Sequence, residues 1–336
     1  MSVIWMDSCG DHYTYTQAGR FWDTVTSVAA VETGRRTGSS CIRIQGSGGA
    51  VEKTVNNLAD VVVSWGGKYQ RALVVVPLGI YDGATRQLYF ECVNDGKITV
   101  KNGSGTTLGE SIQCLTENTW AWIEVKVTAF SNTVGGVVIR VNGAVVLTLT
   151  NVDTLNTANA YCTKIRLGSD VNSYYAAWLD DVVVSDLSGS LNNDFLGDVS
   201  VVCMLPSAEG SNSGWTPNSG TVHYDRVSQT TSDDDTTYLS TDTTGVLDSW
   251  NFADLTASST ILAAQLNQTV RKTDAGTAEI AGVCRRASTD YVGTTQAVGG
   301  TAYTGYAQVW EVDPSTAAQW TQANLNAAEF GIKKVT

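Results

Sequence analysis

The stretch Tyr174-Tyr175-Ala176-Ala177-Trp178-Leu179-Asp180-Asp181-Val182-Val183-Val184, followed by Ser185-Asp186-Leu187-Ser188-Gly189-Ser190, decides the fold class. Aromatic and β-branched residues favour a pleated strand over a helix. The Ser/Asp/Gly cluster then stops the strand. Segments before it read as strands that need a last partner, and those after it as a second series with its own start. The expectation is an all-β chain of two tandem β-sandwiches, residues 1–190 and 191–336, hinged near Gly189–Asn193.

Upstream of this stretch, strand signals alternate with turns. Leu88-Tyr89-Phe90-Glu91-Cys92-Val93 meets Lys97-Ile98-Thr99-Val100 across Asn94-Asp95-Gly96. Trp120–Thr128 places Ile123, Val125 and Val127 on one face and Glu124, Lys126 and Thr128 on the other, a half-solvated strand. Val137–Val141 and Ala144–Leu149 flank Asn142-Gly143, the dipeptide that tolerates the positive φ angles of a tight hairpin. No segment before residue 190 carries a helical period.

Downstream, strands are predicted over Asp198–Leu205, Thr221–Val227, Thr237–Leu239, Leu247–Phe252, Ile261–Arg271, Ala278–Arg286 and Tyr303–Val312. Thr321 is placed to cap a short helix within 321–330, with Gly331 to end it. Ile332–Val335 reads as a returning edge strand.

Composition narrows the function classes. The 336 residues are 43% hydrophobic and only 16% charged, which suits two cores. A net charge of −12 opposes unaided binding to nucleic acid, whose affinity rests on cations neutralising phosphates. The N-terminal Met1–Asp7 lacks a basic leader and a long apolar core, so no secretory signal is expected. The apolar run Ala72–Ile80 is broken by Pro77 and Gly79, so no membrane insertion is expected. Seven scattered cysteines without a Cys-x-x-Cys pair exclude the usual zinc-ribbon spacings and read mainly as buried apolar residues.

Trp178-Leu179-Asp180-Asp181-Val182-Val183-Val184 resembles the terminal strand of concanavalin-type, laminin-G-like jelly rolls. Asn192-Asn193-Asp194-Phe195-Leu196-Gly197-Asp198-Val199 resembles the junction in tailed-bacteriophage structural proteins of that build. The opening Asp7-Ser8-Cys9-Gly10-Asp11-His12-Tyr13 and the tail Asp313-Pro314 through Trp320-Thr321 to Gly331 resemble the same family. The resemblance implies a non-enzymatic virion component in the tail, baseplate, neck or head decoration. It would form a symmetric homo-oligomer (trimers are common among such appendages) that contacts other virion proteins. The alternative is an adhesin that binds host-surface glycan through the first sandwich.

Three sets of residues are candidates for chemistry. Concanavalin-type hydrolases use Glu-x-Asp-x-x-Glu; the nearest echo, Glu311-Val312-Asp313, lacks the second Glu, and His12 and His223 sit in no triad motif. No catalytic residue is expected. Asp180 or Asp181, at a strand's core-side end, caps loop amides or joins Asp7 or Asp11 around a hard cation such as calcium, the one cofactor the reading admits. Asp233-Asp234-Asp235 reads as a solvated loop or a further calcium site. Finally, rings that stack on sugars are sought among Trp65, Tyr69, Tyr81, Trp120, Trp122, Tyr161, Tyr174 and Tyr175, with Trp65, Tyr69, Trp120 and Tyr174 preferred.

Overall fold

The computed structural model describes residues 2–46, 48–70, 74–93, 95–168, 176–256 and 259–336. Its regular structure is almost entirely strand, and it divides into two compact units, Met1–Val202 and Cys203–Thr336.

The strands of the first unit are β1 (Val3–Asp7), β2 (Thr24–Thr26), β3 (Val28–Thr33), β4 (Ser40–Gln45) and β5 (Ala50–Leu58). They continue as β6 (Val61–Gln70), β7 (Val74–Asp82), β8 (Thr85–Val93), β9 (Ile98–Asn102) and β10 (Thr107–Glu110). The last are β11 (Ala121–Ala129), β12 (Gly135–Val141), β13 (Ala144–Val152), β14 (Cys162–Gly168) and β15 (Ala176–Ser185). One sheet has the order β13-β12-β11-β6-β15-β4-β3, with β1 also on β15; the other runs β10-β9-β8-β7-β14-β5-β2. The decisive stretch is β15, buried along its whole length, with β6 on one side and first β4, then β1, on the other. It closes the sheet from the middle, as β14 does in the other sheet between β7 and β5.

Alternation along the strands builds the core. Ile42, Val63, Trp65, Ile123, Val125 and Ile139 from the first sheet, and Leu78, Ile80, Leu88, Phe90, Val100 and Ile165 from the second, are all buried. Each such side chain contributes about 1.5–3 kcal/mol on burial. The Asn142-Gly143 hairpin is present, with φ of 49° and 80°.

The first unit continues beyond residue 190. Residues 194–201 form a strap bonded along the outer face of the first sheet. Asp194 accepts from Lys126 Nζ at 2.7 Å, and Gly197 N–H donates to the buried Glu124 at 3.0 Å. Phe195 lies under Lys126 and Arg140. Asp198 and the Val199 carbonyl accept from Arg35 and Arg36, and Val201 N–H donates to Asp181 at 2.7 Å. The strand expected at Asp198–Leu205 is therefore mostly strap, because its polar groups meet side chains of the sheet before they meet another strand.

The second unit contains β16 (Pro206–Ser213), β17 (Thr216–Pro217), β18 (Leu239–Ser240), β19 (Leu247–Phe252), β20 (Ala264–Val270) and β21 (Glu279–Arg286). It ends with β22 (Thr289–Ala297), β23 (Thr304–Trp310), β24 (Val312–Asp313), β25 (Ala318–Gln319), helix α1 (Gln322–Asn326) and β26 (Glu329–Lys334). A five-stranded sheet, β16-β19-β26-β21-β22, packs Trp250, Ile280, Cys284, Phe330 and Ile332 against Leu266, Tyr306 and Trp310 of the β20-β23 pair. Thr321 caps α1 as expected, its hydroxyl accepting from Asn324 N–H at 3.1 Å.

Two expectations at this end are overturned. The returning strand is β26 and occupies the centre of its sheet, paired on both sides. Gly331 lies inside it and ends no helix. A Cβ at Gly331 would stand 1.9 Å from the Asp248 carbonyl oxygen, so the glycine is there for close strand approach. No helix among the described residues is long and apolar enough to cross a membrane.

Candidate functional site

The carboxylates considered for calcium face donors. Asp7 accepts from Tyr13 Oη at 2.6 Å, Trp22 Nε1 at 2.7 Å and Cys9 N–H at 3.0 Å, an internal knot that ties the N-terminal turn to β1. Asp180 accepts from Arg35 N–H at 2.6 Å and the Ser39 hydroxyl at 3.1 Å. Asp181 holds Arg35 Nη2 at 2.8 Å and the Val201 N–H, with φ of 53° where β15 bulges. Asp11 accepts from Ser40 N–H. Asp233 caps Thr237 while Asp235 pairs with Arg271. Among the described residues no group of three His, Cys, Asp or Glu side chains could hold a metal ion. Amides, hydroxyls and guanidinium groups occupy the carboxylates of Asp7 and Asp181 and one oxygen of Asp180, whose Oδ1 is buried without a partner, so these three side chains do not converge on a shared cation in this structure. Asp313, in the hydrolase echo, caps Ser315 and reaches Arg286.

Burial, then the neighbouring charge of Asp181, push Asp180 up to about 6, against Arg35 N–H and Ser39, which pull it down. A carboxyl whose folded pKa is raised binds its proton more tightly when folded, so stability grows as pH falls through that value towards the ordinary 3.8. Asp11 and Glu124 shift the same way through burial, whereas His12, lowered by burial, opposes them. Lowering pH from about 7 to about 5 should therefore raise the melting temperature more in the wild type than in Asp180→Asn. Equal shifts in the two proteins would remove Asp180 from the pH response.

The aromatic candidates divide. Trp65 and Tyr69 point into the core, Trp65 Nε1 donating to Tyr69 Oη at 2.7 Å, with relative exposures of 1% and 7%. They are unavailable to a sugar, because they share strand parity with Val61 and Val63. Trp120 lies on the outer face, where Lys68 Nζ sits 5.1 Å from its ring and 4.3 Å from that of Trp178. Tyr174 and Tyr175 lie outside the described residues.

A stronger constellation lies on the outer face of the second sheet. Cross-strand pairing sets Glu52 beside Arg166, Arg166 beside Gly79, Gly79 beside Tyr89, and Tyr89 beside Lys101, a row that crosses five strands. The adjacent row holds Lys164, Tyr81 and Arg86. Arg86 Cζ lies 4.2 Å from the Tyr89 ring and 5.9 Å from that of Tyr81; Lys164 Nζ is 4.9 Å from Tyr81, and Lys101 Nζ is 5.9 Å from Tyr89. These are cation–π distances. Tyr81 can lie down on the sheet because Gly79 has no side chain: a Cβ there would stand 2.7 Å from Tyr81 Cε2. The two tyrosines, each 8% exposed, thus lie beneath three cationic head groups, Arg86, Lys101 and Lys164.

Two carboxylates stand among them. Glu91 pairs with Lys101 at 2.7 Å, and Glu52 takes Lys164 on one oxygen at 3.0 Å and Arg166 on the other at 2.5 Å. Burial pushes the Glu52 carboxyl up, but Lys164 and Arg166 together outweigh it and hold it below the ordinary carboxylate range. The face thus gathers four cations, Arg86, Lys101, Lys164 and Arg166, around Glu52 and Glu91 on a chain of charge −12. Chemically, it can receive acidic groups through charge-assisted hydrogen bonds. Tyr81 was in the aromatic set read from sequence; Tyr89, Arg86, Lys101, Lys164, Arg166 and Glu52 were not. Their signal is the alternation of Leu88-Tyr89-Phe90-Glu91 and Lys164-Ile165-Arg166-Leu167.

No family model matches the sequence, and no curated protein matches it. Among solved structures, the chain is similar to an endo-β-1,4-glucuronan lyase from the fungus Trichoderma reesei, with a TM-score of 0.40 and 12% identity over 49% of this chain and 90% of that one. It is similar to the alginate lyase Aly36B, with a TM-score of 0.37 and 13% identity over 55% and 96%. The alginate lyase vAL-1 from Chlorella virus gives 0.37 and 12% over 51% and 96%. These likenesses concern the β-sandwich fold. The expectation that the chain is not an enzyme is withdrawn beside neighbours that are named lyases. That expectation rests on a missing hydrolase motif, which says nothing about the lyases that turn up on this kind of sandwich.

Proposed function

We propose that the first unit binds an acidic polysaccharide on the Tyr81/Tyr89 face of its second sheet, as a glycan-engaging part of a tailed-phage particle. The observation that carries the binding reading is the gathering of Arg86, Lys101, Lys164 and Arg166 about Tyr81 and Tyr89 on an otherwise acidic chain. An anionic ligand must find that row against the field of the whole molecule, which disfavours the dense charge of nucleic acid. The virion setting rests on the resemblance of the β15 strand, the junction and the tail to phage structural proteins. A symmetric oligomer would present several such faces to one polymer and multiply a weak contact.

Calorimetric titration of the full chain with alginate or glucuronan oligosaccharides tests this, with a neutral glucan of equal length as control. Binding is expected for the acidic chains only, weakening as salt rises. Arg86→Ala should weaken it by about tenfold or more, since charge-assisted contacts contribute about 1.5–3 kcal/mol. Equal binding of neutral and acidic glycans, or none of either, would overturn the reading. Following the same mixtures for new unsaturated sugar ends separates binding from cleavage.

A further inference from the structure

Resting on that reading, we infer that Glu52 is an internal counter-ion that competes with the ligand and sets how dense a negative charge the face will accept. Glu52 lies on β5, opposite Arg166 of β14, and is only 7% exposed. Its two oxygens are divided between Arg166 Nη1 and Lys164 Nζ, so one carboxylate engages two of the four cations of the face. The guanidinium is further fixed by a bond from Nη2 to the Gly48 carbonyl at 3.2 Å. Arg166 therefore stays in place if Glu52 swings away, and Lys164 keeps its position 4.9 Å from the Tyr81 ring.

An arriving carboxylate must exchange with Glu52. The exchange is close to neutral for a single acid, because one ion pair replaces another and the ligand loses its freedom as well. A polymer differs, because its first contact at Arg86 or Lys101 delivers the next acidic group to Lys164 and Arg166 at high local concentration. The site thus rejects free monomeric acids and accepts chains of them. Glu91 plays the same part towards Lys101 alone, with one partner instead of two.

The test compares wild type with Glu52→Gln in the full chain, titrated with monomeric glucuronate and with a glucuronan oligomer, at low and moderate salt. Glutamine keeps the size and one acceptor oxygen while removing the charge. Far-ultraviolet circular dichroism and the melting temperature verify that the variant folds. Glu52→Gln is expected to bind the oligomer about tenfold more tightly, with a steeper loss on adding salt, and to acquire measurable affinity for the monomer. Unchanged oligomer affinity in a folded variant would show that Lys164 and Arg166 do not meet the ligand. Weaker affinity would show that Glu52 accepts hydrogen bonds from the sugar. Either result overturns the inference while leaving the binding reading intact, provided that Arg86→Ala still impairs wild-type binding. Failure of both wild type and Glu52→Gln to bind overturns both.

Discussion

Replacing Gly331 with valine is expected to unfold the second unit and leave the first folded. A side chain at this position would run into the Asp248 carbonyl at 1.9 Å and Ser249 Cα at 2.7 Å, both backbone atoms of the neighbouring β19. Neither neighbour can step aside, because β26 is hydrogen-bonded on both sides, to β19 and β21. Parting them separates Trp250, Phe330 and Ile332, which anchor the two core clusters of this unit. The expected loss exceeds about 4 kcal/mol, the range reserved for disruption of a core or a special backbone position. Limited proteolysis should then leave a resistant fragment ending near Val202, the limit of the first unit. Recovery of the full-length chain with two intact units would contradict this. For the same reason, a truncation at Asp313 deletes a central strand as well as the chain's last residues, and it should unfold the second unit too.

The second large effect is expected at Arg35. Its guanidinium, 9% exposed, bonds Asp181 at 2.8 Å, Asp198 at 2.6 Å and the Val199 carbonyl at 2.8 Å, and lies 4.8 Å from the Trp122 ring. Arg35→Ala strips the buried Asp181 of its closest cation, leaving Arg36 at 3.4 Å, and detaches the strap from the sheet. Breaking a buried pair on one side costs about 3–5 kcal/mol. At about 2–4 °C per kcal/mol for a unit of this size, melting should fall by roughly 6–20 °C. Arg35→Lys restores charge without the fork that reaches three acceptors, and it should recover only part of the loss. A fragment ending at residue 190 lacks the strap altogether and should melt below one ending at 202. Equal melting of the two fragments would show that the strap does not stabilise the sandwich.

Local chemistry is what the sequence made legible. The aromatic and β-branched run of β15, the Asn142-Gly143 turn and the Thr321 cap each carry their signal within a few residues, and each takes the expected conformation. The missed strands β16 and β22 are polar sheet edges, Pro-Ser-Ala-Glu-Gly-Ser-Asn-Ser and Thr-Asp-Tyr-Val-Gly-Thr-Thr-Gln-Ala, whose protection against edge pairing hides the strand pattern. Gly331 was misread because a helix stop and a close strand contact call for the same residue. The candidate face was harder still: Glu52 and Arg166 are 114 positions apart and meet only through the sheet order β5-β14. Aromatic content alone does not say which rings are exposed: Trp65 and Tyr69 share the core side of β6 with its valines.

The positions of β14 and β15 bear on how the chain is made. Before these strands leave the ribosome, the finished segments can assemble only half-sheets: β13-β12-β11-β6 and β4-β3 on one side, β10-β9-β8-β7 and β5-β2 on the other. The unpaired margins of β6, β4, β7 and β5 would then face each other across gaps that only the last strands of the first unit can fill. Such margins are ready to pair with any strand nearby, including those of a nascent neighbour on the same message. Long-range closure of this kind is also slow, because most of the chain must be ordered before the final ladder repays it. Yield in a heterologous host should therefore depend on chaperones and on the rate of translation over the first unit more than on the stability of the finished sandwich.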